Sequence, residues 1–95
     1  MGANETRLKL REDLLVEEVS GDWIVFDLEG GHYMGLNETG WLLWQRLQHG
    51  PAKVKELGAV LLAEYEIEPD QAVGDAREFA DHLVEANLAS WVEAE

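Results

Sequence analysis

Residue types that do chemistry are present in this chain, but not in the spacings that chemistry requires. His32, His49 and His82 lie far apart, with no His-x-x-x-His pair and no nucleophile pattern beside any of them. Cysteine is absent, which removes disulfides, thiol nucleophiles and thiolate metal sites. The 20 aspartates and glutamates are scattered as a solvated acidic face, not gathered as acid–base pairs. No catalytic residue, metal ligand or cofactor is expected.

The one local concentration of unusual residues is Gly30-Gly31-His32-Tyr33-Met34-Gly35-Leu36-Asn37-Glu38-Thr39-Gly40. A glycine-rich stretch ahead of a helix can cradle phosphate with backbone N–H groups. Here three bulky residues separate Gly31 from Gly35 and no lysine follows, so neither the phosphate-loop nor the dinucleotide-loop spacing is met.

Charge narrows the partners. Against the acids stand 7 lysines and arginines, a formal net charge of -13. Nucleic acids and anionic membranes would repel such a chain, because both are bound through Lys and Arg. A peptide or protein is the favoured partner. No apolar run approaches the roughly 18 residues of a membrane span, and no secretory signal pattern is visible, so a cytoplasmic protein is expected. Met1-Gly2-Ala3-Asn4-Glu5-Thr6 fits a myristoylation pattern without any polybasic support. The sequons at Asn4 and Asn37 lack a secretory context; all three matches read as coincidence.

The elements that must position the glycine-rich segment follow from local signals. Ninety-five residues with 46% hydrophobic content make one domain, 1–95, of which 1–6 is expected to be loose. Leu14–Val19 reads as a strand ending in the Ser20-Gly21-Asp22 turn. Trp23–Leu28 is a second strand, with Ile24, Phe26 and Leu28 on one face and Trp23, Val25 and Asp27 on the other. Glu29-Gly30-Gly31 turns the chain again, and His32–Leu36 returns as the last strand of the meander, at the sheet edge. Arg7–Leu10 is expected to add a short strand near the opposite edge. Asn37 can cap a helix over Glu38–Gln48, stopped by His49-Gly50-Pro51. A second helix is expected over Ala52–Tyr65 and a third over Pro69–Ala86, with Ala72, Ala76, Phe79 and Leu83 on one stripe and Val73, Ala80 and Val84 on the next. Asn87 can take the left-handed conformation that closes it, before Leu88 and Trp91 fold back onto the core.

Three antiparallel strands followed by three helices describe an α+β, winged-helix-like module. DNA binding is disfavoured, since the third helix carries Asp70, Asp75, Glu78, Asp81 and Glu85 against a single Arg77. An acidic regulatory or assembly module remains an alternative function.

Val25-Phe26-Asp27-Leu28, then Gly31-His32-Tyr33-Met34-Gly35-Leu36-Asn37-Glu38-Thr39-Gly40, then Leu43-Trp44, resemble the PqqD-like family of precursor peptide recognition elements. The likeness runs on through Leu57, Leu61, Tyr65 and Ala86-Asn87-Leu88, and the Tyr-x-Gly-Leu-Asn-x-Thr-Gly run is similar to stand-alone members of lasso-peptide biosynthesis. Asn87 stands where the family usually has glycine. The resemblance implies a non-catalytic domain that binds the leader of a ribosomally made precursor peptide by strand addition and presents it to a maturation enzyme, as a monomer or homodimer. It implies an edge at His32, Tyr33, Met34, Gly35 and Leu36 and a groove wall on the third helix.

Along that wall Ala76 and Ala80 could leave pockets, Arg77 could meet an acidic leader residue, and Leu83 and Val84 would complete the surface. Tyr33 or Met34 would face the pocket, depending on register. Each residue also has a plain structural reading: Tyr33, Met34 and Leu36 as core, Ala76 and Ala80 as close helix packing, Arg77 as a solvated partner of Asp81. Trp23 is expected on the outer sheet face, where it could dock a partner.

Overall fold

The computed structural model describes residues 6–93. Along the chain come β1 (Thr6–Leu10), β2 (Leu15–Val19), β3 (Asp22–Asp27), β4 (His32–Leu36), α1 (Glu38–Gln48), α2 (Val54–Glu64), α3 (Pro69–Glu85) and β5 (Ala89–Glu93), an α+β chain. The expected loose N-terminus lies outside the described residues, except that Thr6 already opens β1.

The β2–β3–β4 meander is antiparallel throughout. Its first turn uses two consecutive left-handed residues, Ser20 at φ 54° and Gly21 at φ 87°. That is the pair of positive angles that matches the twist of a two-residue hairpin. Gly31, at φ 77°, donates its N–H to the Asp27 carbonyl at 2.8 Å to close the second turn.

β1 is not an extra strand of the meander. It pairs antiparallel with β5, a strand the sequence reading did not anticipate, in a separate two-stranded sheet whose register joins Leu8 to Trp91. The other side of β1 touches Ala52, whose N–H and C=O both bond Leu8, at 3.1 and 2.7 Å. Those bonds also explain why α2 begins two residues later than its apolar periodicity suggests. Lys53 becomes the N-cap, and its backbone N–H donates to Glu56 Oε1 at 2.8 Å. The bond from Lys53, helped by Arg46, holds the Glu56 carboxyl below its ordinary pKa.

The helices follow their local signals closely. Asn37 Oδ1 accepts the Gly40 N–H at 2.7 Å and starts α1. Pro69 opens α3, and Asn87, at φ 64°, ends it. The core joins Leu8, Val25, Leu43, Trp44, Leu57, Leu61, Leu83 and Leu88, drawn from both sheets and all three helices.

Asp27 is the buried charge among the described residues, 1% exposed. Its Oδ1 accepts the Gly30 N–H at 2.9 Å and its Oδ2 meets Arg11 Nη1 at 2.9 Å. The same Nη1 donates to the Asn87 carbonyl at 2.9 Å, and Arg11 also pairs with Asp13 and Glu29. The Gly30 N–H, then Arg11, hold the Asp27 carboxyl below its ordinary pKa, while Arg11 itself is raised, first by Asp13 and then by Asp27. Asp13 is lowered by Arg11 in turn.

Two outcomes follow from this local chemistry. Ser20→Asn places a residue tolerant of positive φ in the turn and is expected to stabilise the protein by roughly 0.5–1 kcal/mol, read by urea unfolding. A carboxyl depressed in the folded state adds stability that is complete above the unfolded pKa near 4 and lost as pH falls through the folded value. Unfolding free energy is therefore expected to fall between about pH 5 and pH 3, with a shallower slope in Asp27→Asn, which removes one of the lowered carboxyls.

Candidate functional site

Among the described residues β4 is paired on one side only. Its register against β3 sets Leu36 opposite Trp23, Met34 opposite Val25 and His32 opposite Asp27. Side chains alternate along a strand, so His32, Met34 and Leu36 share the inner face with buried Val25 and Asp27. Tyr33 and Gly35 share the outer face with Phe26 and Ile24. Met34, not Tyr33, therefore faces inward: Met34 packs on the core while Tyr33 is 72% exposed. His32 Nε2 lies 3.4 Å from Asp27 Oδ2, which steadies the start of the strand.

α1 packs on β4, whereas α3 packs chiefly on α2 and β5, and the residues of α3 expected to form a wall fall in different surroundings. Ala76, Ala80 and Leu83 have no exposed surface at all. They are core residues, whose small or apolar side chains pack α3 against its neighbours. Phe79 of α3, half-buried, comes close to the start of α1 just beyond β4: a Cβ added at Gly40 would stand 3.2 Å from its ring and 3.6 Å from Leu36. Arg77 lies about 200° around the helix from Phe79, and its guanidinium stands 5.9 Å from the Trp91 ring centroid. Val84, two turns further along the helix, is half-buried against the core. Asp75 and His82, within about 60° of Phe79 on the helix, are the exposed residues that border its flank instead.

Trp23 is also misplaced by the sequence reading. It sits on the inner face, where its ring stacks on Trp41 with centroids 3.8 Å apart and planes 6° from parallel. Only the burial of Asp27 reveals this, because alternation puts Trp23, Val25 and Asp27 on one face and a charged residue argues against that face being the core. The signal that could have found Phe79 is Gly40, a glycine inside the first turn of a helix where another element passes close.

Charge separates the two open edges of the meander. β4 carries no acid, whereas β2, at the other edge, carries Glu17 and Glu18. A cavity of about 420 Å³ lies elsewhere, its lining including Leu10, Leu14, Trp44 and Leu47 with the charged Lys9, Arg11 and Glu12; it includes no residue of β4 or α3. Among the described residues no three His, Asp or Glu side chains are grouped to hold a metal, and no helix is long and apolar enough to cross a membrane.

Two solved structures share this fold. One, TbiB1 in complex with the TbiA(beta) leader peptide, is 23% identical, with a TM-score of 0.76 over 86% of this chain and 94% of that one, a likeness of fold alone. The other, lasso peptide synthetase B1 complexed with the leader peptide, is 29% identical, with a TM-score of 0.76 over 87% of this chain and 96% of that one. No curated protein matches the chain. Residues 22–89, from the first residue of β3 to the first of β5, match the family model for coenzyme PQQ synthesis protein D, and this chain belongs to that PqqD family.

Proposed function

We propose that this protein binds the leader segment of a ribosomally synthesised precursor peptide, adding it as a strand to β4, and presents it to a maturation enzyme. The observation that carries this reading is β4 itself, an acid-free strand, unpaired on one side, beside a half-buried Phe79 flank. Backbone pairing supplies affinity and alternate side chains supply selection. The kinship with lasso peptide synthetase B1, solved with its leader peptide, supports a peptide ligand and favours a leader peptidase as the enzyme served.

The two edges would not compete equally for a strand. Glu17 and Glu18 guard β2 with charge, as exposed edges often are guarded. On β4, inward side chains of the leader would rest on Met34, Leu36 and Phe79. The acidic border at Asp75, together with the net charge of -13, favours a leader bearing Lys or Arg near its groove-facing residues. No step of this function requires a catalytic group or cofactor, and a cytoplasmic site of action suits a protein that meets newly made precursors.

Titration with the leader of a precursor encoded beside the gene tests the reading. Binding at micromolar or tighter affinity is expected, with amide shifts and new hydrogen-exchange protection concentrated at His32–Leu36 and near Phe79; silence from every such leader overturns it. Met34→Glu sets a charge on the inner face and is expected to weaken binding about tenfold or more. Affinity for a basic leader is expected to fall as salt rises from 0.05 to 0.5 M, on the order of severalfold, by screening of the acidic border.

A further inference from the structure

Gly35 has neither of the reasons for which a strand ordinarily holds glycine. Its φ is not in the left-handed region, where only Gly21, Gly31 and Gly50 are found among the glycines described. A Cβ built on it would meet nothing within 4 Å. In the free protein the glycine therefore only costs stability, through the extra freedom of the unfolded chain and the loss of a side chain to pack. Strand addition does not by itself require it either. Ladder bonds lie in the plane of the sheet and side chains stand across it, so any residue but proline could pair there.

What the glycine does leave is open space on the outer face. The floor of that space is Ile24, directly across the ladder from Gly35 and half-buried. One wall is Tyr33, the next outward residue along β4 and highly exposed. Tyr33 in turn lies across from Phe26, their rings 6.2 Å apart and tilted, and Phe26 lies across from Leu15, itself 44% exposed. An aromatic row thus reaches the β4 edge immediately beside the vacant glycine.

We propose that Gly35 forms a side-chain subsite on the outer sheet face, which receives an outward-pointing aromatic residue of the added strand. The ring lies over the glycine, rests on Ile24 and abuts Tyr33. Aromatic residues are known to cover edge glycines across a ladder, and a third ring next to Tyr33 continues the tilted pair. The inference rests on strand addition to β4 and extends it. The leader is read on both faces, by apolar residues in the groove at Met34, Leu36 and Phe79, and by an aromatic one residue out of phase with them, over Gly35.

The test uses the full chain, the leader of a precursor encoded beside the gene, and leader variants in which each aromatic in turn becomes alanine. Gly35→Val begins to fill the subsite from a Cβ position that meets nothing within 4 Å, and its melting temperature is expected to rise by about 2–4 °C. It is expected to bind the unaltered leader about tenfold more weakly than the wild type does. One aromatic-to-alanine leader should lose about as much on the wild type and nothing further on Gly35→Val. In the wild-type complex the Gly35 Hα resonances should move upfield under the ring. Unchanged affinity in Gly35→Val, or an equal loss for every leader variant, overturns the subsite and leaves strand addition standing. Failure of the wild type to bind any such leader overturns both.

Discussion

A carboxylate buried in a small core must be met by charge and hydrogen bonds, since an unpaired buried ion costs far more than a domain of this size could sustain. Asp27 is that carboxylate, and three separated segments meet to satisfy it. The Gly30 N–H comes from the turn that follows, Arg11 from the link between β1 and β2, and through Arg11 the carbonyl of Asn87 at the end of α3 is drawn into the same junction. The contact ties the β1–β5 ribbon to the meander at the base of the β3–β4 turn. β4 starts from this fixed point, with His32 beside the same carboxylate, so the direction and register of the open edge follow from how one charge was buried.

Small side chains set the second constraint. Ala72, Ala76 and Ala80 let α3 lie close against its neighbours, and at Gly58 of α2 an added Cβ would stand only 3.2 Å from Val73. Phe79, also on α3, is half-buried with its ring close to Gly40. The alanines of α3 thus act through close packing in the core.

Acid is distributed so that one edge of the meander stays available. Glutamates stand on β2, and α3 turns most of its carboxylates to solvent, where they disfavour nucleic acid and like-charged copies of the chain. β4 is spared. The outer face of the meander carries exposed apolar side chains, among them Tyr33 on β4 and Leu15 on β2, which a free monomer has no reason to display unless something completes that surface.

Signals that act within about four residues were legible in the amino-acid sequence alone. The Asn37 cap, the bounds of α1 and β4, Pro69 at the head of α3, the left-handed Asn87 and the glycine turns all depend on backbone angles and near-neighbour hydrogen bonds. The family likeness rode on the same local run, Gly31 to Gly40. Pairings between distant residues were not legible: β5 against β1, Ala52 against Leu8, Trp23 stacked on Trp41, Arg77 turned to Trp91 and away from β4. Periodicity marks which residues share a face, but only tertiary packing decides what each face meets. For that reason the open edge of the meander was legible in the sequence, while the burial of Ala76, Ala80 and Leu83 and the place of Arg77 beside Trp91 were decided only by how α3 packs.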